Sequence, residues 1–236
     1  MNIQSKWQIP VLCGLLLAGA GCSSLSTGNR NSSQSTKTAP LTASADPRAD
    51  VTKAMRASFE AKSYRSRIVS TSSSGSNRTM TAEFVSPDRM RITTAMDMPG
   101  RGTVKSDRII IGKEDYVRMG DGPWQKNPMG MGDILSQLRD PKLVDAIAEK
   151  AEVKYLGTDT LNGAPMLIYQ YTIKDLLGPG KDGVTKEWIG ATDSLLHQTE
   201  SESNFDPLGT GKMIHSKTTV SFYDYNADIK IEPPTL

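Results

Sequence analysis

Short segments in which apolar and polar residues alternate make up much of this 236-residue chain, and they constrain its fold more than any other feature. The two clearest segments are 78–86 and 89–96, and the turn residues Pro87 and Asp88 lie between them. One side of these segments would carry Met80, Ala82, Phe84, Met90, Ile92, Thr94 and Met96. Because successive side chains of a strand point to opposite faces, this period of two predicts half-buried β-strands.

Turn residues bound several more segments of the same kind. Asn162-Gly163, between two apolar runs, is a typical two-residue hairpin turn. We expect further strands at 64–72, 108–112, 116–119, 153–156, 164–173, 184–189, 195–203 and 212–225. Connections this short favour antiparallel neighbours.

A helix is predicted before the strands, and a helical insert divides them. Asp46 is a typical N-cap and Pro47 suits the first helical position, while Val51, Met55 and Phe59 recur at intervals of four. The apolar residues of the insert are Ile134, Leu135, Leu138, Leu143, Val144, Ile147 and Ala148. Strands in hairpins with segregated helices predict the α+β class, an antiparallel sheet with helices on one face.

The first residues have the composition of an export signal. Lys6 precedes an apolar run at 9–17, small residues occupy 18–21, and Cys22 follows them. The run is shorter than the ~20 residues that a membrane-spanning helix needs. We expect residues 1–21 to be a lipoprotein signal peptide that is removed, leaving Cys22 to carry acyl chains that hold the protein at a membrane. The alternative is an ordinary signal peptide followed by an incidental cysteine.

The segment 22–46 contains almost no large apolar side chains, since serine, threonine, glycine, asparagine and alanine dominate it. Such a segment buries too little surface to offset its ordering entropy, so we expect a disordered tether. Residues 47–236 are then predicted to form one folded domain. With a single cysteine left after cleavage, that domain has no internal disulfide.

The composition disfavours several classes of function. The net charge is only +2, and no basic block or run of aromatic residues suggests that the chain binds nucleic acid. The sequence shows no nucleophile elbow, zinc-protease motif, phosphate-binding loop or paired-cysteine motif. His197 and His215 lie on separate predicted strands, where we expect surface histidines. We therefore predict no enzyme activity, no metal site and no cofactor.

Several loose motifs, in a fixed order over most of the predicted domain, carry a resemblance to a known superfamily. They are FVSPDRMR at 84–91, YVR at 116–118 before Trp124, the segment 157–171, EWIG at 187–190, LHQ at 196–198, FYDYN at 222–226 and IKIEPP at 229–234. In this order they resemble the group of LolA, LolB, RseB and LppX/LprG, which are periplasmic lipoprotein and lipid carriers.

The resemblance implies a strongly curved antiparallel sheet, an incomplete barrel, with helices covering its concave face. Acyl chains of a lipid or of another lipoprotein would lie between the sheet and the helices. Methionine adapts its shape and suits such an apolar wall. The residues expected to line the cavity are Met55, Phe59, Met80, Phe84, Met90, Ile92, Met96 and Trp188. The alternative is that these side chains simply fill the core of an ordinary antiparallel sheet.

The predicted function is therefore a membrane-anchored lipoprotein of the bacterial envelope that binds or carries acyl chains without catalysis. In a cell with two membranes, Ser23 after the cysteine favours, by analogy with the family, the outer membrane, facing the periplasm; otherwise the anchor lies in the cell membrane. A second hypothesis is an envelope sensor like RseB, with a protein partner and no transport role. An exported hydrolase is a third, for which no catalytic constellation was found.

Overall fold

Antiparallel strands form one open sheet in the computed structural model, which describes residues 42–100, 102–128, 130, 141–173, 183–205 and 213–236. The strands are β1 (Ser63–Ser72), β2 (Asn77–Val85), β3 (Arg89–Met98), β4 (Gly102–Ile111), β5 (Glu114–Met119), β6 (Gln125–Lys126), β7 (Ala151–Leu161), β8 (Ala164–Ile173), β9 (Gly183–Gly190), β10 (Leu196–Phe205) and β11 (Ile214–Tyr223). The predicted antiparallel sheet is confirmed.

Two hairpin meanders meet in the middle of this sheet. The spatial order is β6-β5-β4-β3-β2-β1-β11-β10-β9-β8-β7, so β1 pairs with β11 and every other neighbour is also a neighbour in sequence. The register places Tyr64 opposite Phe84, and Ile68 opposite both Met80 and Val220. Strands β6 and β7 follow one another in sequence but lie at opposite edges of the sheet.

Two helices belong to the described residues, α1 (Pro47–Phe59) and α2 (Pro141–Lys150). The predicted cap is present, since the Asp46 side chain accepts hydrogen bonds from the backbone N–H groups of Arg48 and Ala49. Helix α1 contacts α2, β7 and β10, and it forms an ion pair with α2 through Arg56 and Asp145. The predicted helical residues Ile134, Leu135 and Leu138 lie outside the described residues.

Some element boundaries differ from the sequence prediction. Strand β4 begins at Gly102, because six residues without apolar alternation still pair with β3 through the backbone. Strand β7 extends to Leu161 and contains a register shift between Tyr155 and Gly157. The two-residue strand β6 was not predicted. The Asn162-Gly163 turn is confirmed, with φ of 52° and 82° at its two positions, as a two-residue hairpin requires.

The two faces of the sheet have different characters. We call the face that packs against α1 the helix face. The opposite face carries ion pairs across neighbouring strands, in which Glu83 bonds both Arg65 and Arg91. On that opposite face the C-terminal residues Ile229 and Ile231 also pack with other apolar side chains; the buried members of this cluster are Ile109, Tyr116, Ile229 and Ile231.

The chain just before α1 also packs on the domain. Ala43 lies against the apolar residues beneath α1, and the backbone N–H of Ser44 donates to the Asp50 carboxylate. Residues 1–41, including the predicted lipid-attachment site Cys22 and most of the predicted tether, lie outside the described residues.

Candidate functional site

The middle of the helix face is apolar. One buried group, the central cluster, spans strands β11, β1, β2, β3 and β4 together with Ala61, the second residue after α1. Its members are Ala61, Tyr64, Ile68, Met80, Phe84, Met90, Ile110 and Val220. Cross-strand register explains this grouping, since Tyr64, Phe84, Met90 and Ile110 stand side by side on four successive strands.

A second buried group lies beneath the helices on the other half of the sheet. This helix cluster consists of Val51, Ala54, Met55, Val144, Leu167, Tyr169, Ile189, Ala191 and Leu196. The half-buried side chains of Phe59 and Phe222 pack against both clusters. The helix face therefore presents apolar surface continuously from β4 to β8.

Specific hydrogen bonds fix α1 on this face. The Tyr169 hydroxyl, fully buried on β8, donates to the Asp50 carboxylate of α1 at 2.7 Å. Burial alone would raise the pKa of Asp50, but the bonds from Tyr169 and Ser44 outweigh it and hold the pKa below its usual value. Near the other end of α1, the Ser58 hydroxyl accepts from the Leu196 backbone N–H at 2.9 Å.

A small pocket lies where α1, α2 and the edge of the sheet meet. Its volume is about 10 Å³, and its wall is almost entirely apolar. The residues that line it are Arg48, Val51, Thr52, Met55, Ala148, Ala151, Val153 and Tyr171. That volume holds about one water molecule and is far too small for an acyl chain in this conformation.

Seven of the eight residues predicted to line a cavity lie on the helix face or on α1 where it meets that face. They are Met55, Phe59, Met80, Phe84, Met90, Ile92 and Met96. Met90 is 1% exposed and Phe84 3% exposed, so both belong to the packed interior. Ile92 and Met96 are half-buried and lie farther along β3 on the same side.

Trp188 is placed apart from the other seven. Its buried neighbours are Met166 and Ile168, in a separate cluster, and the Lys186 ammonium lies 5.0 Å from the centre of its ring. Side chains alternate along β9, so Trp188 points away from the face to which Ile189 contributes. Trp188 therefore does not share a wall with Met55 or Met90.

The sequence analysis did not identify Glu187, which is 1% exposed on β9. Register places it opposite Tyr169 on β8 and Thr199 on β10, on the helix face. Burial raises the pKa of Glu187 to about 8. Alternation could have revealed this residue, since Glu187 shares a face with the apolar Ile189. The sequence analysis placed the neighbouring Trp188 on that face instead.

The two histidines are not brought together. His197 bonds Asp193 at 2.9 Å, whereas the ring of His215 bonds Asn204 at 3.1 Å. In the described ranges, no group of three or more metal-ligating side chains lies close enough to hold an ion. No helix among these residues has the length and apolarity to cross a bilayer.

No family model matches this chain, and no curated protein matches it in sequence. Solved structures do match its fold. The lipoprotein LppX of Mycobacterium tuberculosis is 12% identical with a TM-score of 0.56, over 78% of this chain and 97% of that chain. LprF from Mycobacterium bovis is 14% identical with a TM-score of 0.55, over 80% of this chain and 96% of that chain.

Such low identities establish a likeness of fold alone. The two structures are covered almost completely, so the likeness extends over the whole of their folds. The resemblance predicted from the order of the sequence motifs is therefore confirmed at the level of the fold: this chain has the same fold as LppX and LprF.

Proposed function

We propose that this protein is a non-catalytic lipoprotein of the bacterial envelope that binds acyl chains between its helix face and its helices. The observation that carries the proposal is the continuous apolar surface from β4 to β8, which joins the central cluster to the helix cluster through Phe59 and Phe222. Burying an acyl chain on such a surface yields about 0.8 kcal/mol per methylene. The fold likeness to the lipoprotein LppX supports the same reading.

Entry of an acyl chain beside α1 requires movement of the helices. The pocket beside α1 holds only about one water, so a chain enters when α1 or α2 shifts away from the sheet. Among the described residues, the hydrogen bonds that join α1 to the sheet include Asp50–Tyr169, Ser58–Leu196 and Arg48–Ala151. We propose that the sheet is curved, that the helices cover its concave face, and that their opening and closing exchanges the ligand.

Lipid carried by the native protein is the most direct test. The full chain is expressed in a bacterium and taken from its membranes. Native and denaturing mass spectra of the same sample separate a non-covalent lipid from a covalent anchor. We expect a lipid that is lost on denaturation. Protein that is empty, and that also fails to bind a fluorescent fatty acid, contradicts acyl-chain binding; a discrete co-purifying protein would then favour the sensor hypothesis.

Two adjacent residues of β3 allow a matched test of the binding face. Met96 lies on the helix face and Ala95 on the opposite face, and both are half-buried. We expect Met96→Asp to weaken fluorescent fatty-acid binding by about tenfold or more, since a hydrated carboxylate would replace apolar surface that the acyl chain contacts. Ala95→Asp should bind as the unchanged protein does. Equal affinity of both variants would show that acyl chains do not contact this part of the face.

A further inference from the structure

Glu187 is a buried acid without a partner. Its Oε2 atom makes no hydrogen bond, and no ion pair in the described part of the chain includes its carboxyl group. Asp115, the other acid in the described interior, lies 3.3 Å from the Arg108 guanidinium and accepts a bond from Asn127. A buried polar group left unsatisfied costs free energy, so Glu187 calls for a physical explanation.

The neighbours of Glu187 do not supply that partner. Across the strands stand Tyr169 and Thr199, both buried. The Tyr169 hydroxyl donates its proton to Asp50. The nearest lysine in sequence, Lys186, lies over the Trp188 ring on the opposite face. The carboxyl therefore stands on the helix face with hydrogen-bonding capacity that the described residues leave unused.

The protonation state of this carboxyl defines what it can recognise. Burial raises the pKa of Glu187 to about 8, so most molecules carry the proton at neutral pH. A protonated carboxyl donates one hydrogen bond and accepts others. It therefore complements an uncharged hydroxyl or ester, whereas a phosphate brought to this position would be a buried charge without a counter-ion.

The position of Glu187 suits the head of an acyl ligand. Tyr171, which lines the pocket beneath α1, is diagonal to Glu187 across the β8–β9 pair. In the other direction the row on the helix face runs through Thr199, Val220 and Ile68 to Met80. Four strand spacings of ~4.8 Å separate Glu187 from Met80, so this row extends over roughly 19 Å of the sheet and ends in the central cluster.

We propose that Glu187 is the polar recognition point of the acyl-chain site, where its carboxyl hydrogen-bonds an uncharged hydroxyl or ester group at the head of the ligand while the chains extend over the central cluster. This inference rests on the proposed function and narrows it to amphiphiles with an uncharged hydrogen-bonding head. Neither a metal nor a second protein is required.

Two lipids that differ only in the phosphate test the proposal: a diacylglycerol and a phosphatidic acid with the same fluorescent acyl chain, added to the full chain at pH 6.5. We expect the unchanged protein to bind the diacylglycerol at least about tenfold more tightly, and Glu187→Met to lose that preference. Glu187→Gln, which keeps a donor and an acceptor, should bind the diacylglycerol within about threefold of the unchanged protein. A preference that survives in Glu187→Met overturns the inference.

A spectroscopic readout tests the contact in the unchanged protein itself, and a variant serves only to assign the band. Infrared difference spectra of the unchanged protein should show a shift of a protonated-carboxyl band when diacylglycerol is added, and Glu187→Gln should lack that band. A bound diacylglycerol that leaves the band unmoved also overturns the inference. If both lipids bind the unchanged protein equally, acyl-chain binding is supported but the role of Glu187 in head-group recognition is contradicted. If neither lipid binds, both the proposed function and the role of Glu187 are contradicted.

Discussion

At the scale of single residues, Glu187 is the clearest case of an ionisable side chain in an environment that disfavours its charged form. An acid at 1% exposure without a counter-ion favours its neutral form, because ionisation inside an apolar wall forfeits hydration. At neutral pH the folded state therefore keeps a proton on Glu187 that the unfolded chain releases. Asp50 and Tyr169, its titratable neighbours toward α1, do not compete: the pKa of Asp50 lies below its ordinary 3.8 and that of Tyr169 above its ordinary 10.

The raised pKa of Glu187 predicts how stability depends on pH. The pKa of Glu187 is 4.5 in its ordinary state and about 8 in the folded protein, and between these two pH values the folded state binds more protons than the unfolded state. The stability that protonated Glu187 contributes is therefore fully present below pH 4.5 and is lost as the pH rises through 8. The predicted loss is on the order of a few kcal/mol. Urea unfolding of the full chain from pH 4.5 to 9 measures it.

The control for this prediction is Glu187→Gln, which has the same shape and no titration. Its stability, subtracted from that of the unchanged protein at each pH, cancels the contribution of all other groups. We expect the difference to favour the unchanged protein increasingly toward acidic pH. A difference that is flat between pH 4.5 and 8 would show that Glu187 is solvated or paired in solution.

At the scale of elements, the docking of α1 is the feature on which the proposed ligand exchange depends. The helix begins at its Asp46 cap and buries Val51, Ala54 and Met55 against the sheet. One of its polar attachments is the Asp50–Tyr169 bond, in which a carboxylate accepts from a buried phenol. Such charge-assisted bonds contribute more than neutral ones, roughly 1.5–3 kcal/mol.

We expect Tyr169→Phe to destabilise the protein by about 1–2 kcal/mol, since Asp50 keeps its bond from Ser44. Because the pKa of Asp50 is lowered in the fold, the cost should shrink as the pH falls through that pKa and the carboxylate is protonated. Tyr155→Phe is the matched control: its ring lies 5.3 Å from that of Tyr169, and its hydroxyl has no hydrogen bond to a described residue. Equal losses in the two variants, by urea unfolding, would contradict the role of the bond.

At the scale of the whole molecule, two meanders joined at β1 and β11 produce one wide sheet with edges at β6 and β7. Helix α2 lies between these two edge strands in sequence. Since α2 contacts α1, both described helices lie on the same side, above the helix cluster. The opposite face carries ion pairs and two smaller buried clusters, one around the C-terminal segment and one around Trp188.

The anchor is a prediction about the whole molecule as well. We expect Cys22→Ser to release the protein from the membrane fraction into the soluble fraction, because removal of the acyl chains removes the membrane affinity. Cys13→Ser, inside the apolar leader, should leave the location unchanged. Fractionation and immunoblotting of cells that express each variant measure this. A Cys22→Ser protein that stays with the membrane would contradict lipid attachment at that residue.

The sequence by itself determined the class of the fold and most of its strands, because alternation, turn residues and helix caps act over a few neighbouring residues. It therefore placed α1, the Asn162-Gly163 hairpin and the methionine-bearing side of β2 and β3. Only the tertiary structure decided that β1 pairs with β11, that Glu187 rather than Trp188 takes the helix face, and that Tyr169 bonds Asp50. These features depend on contacts between segments that are far apart in the sequence. A local pattern of residues does not say which strands pair, in which register, or where a helix packs.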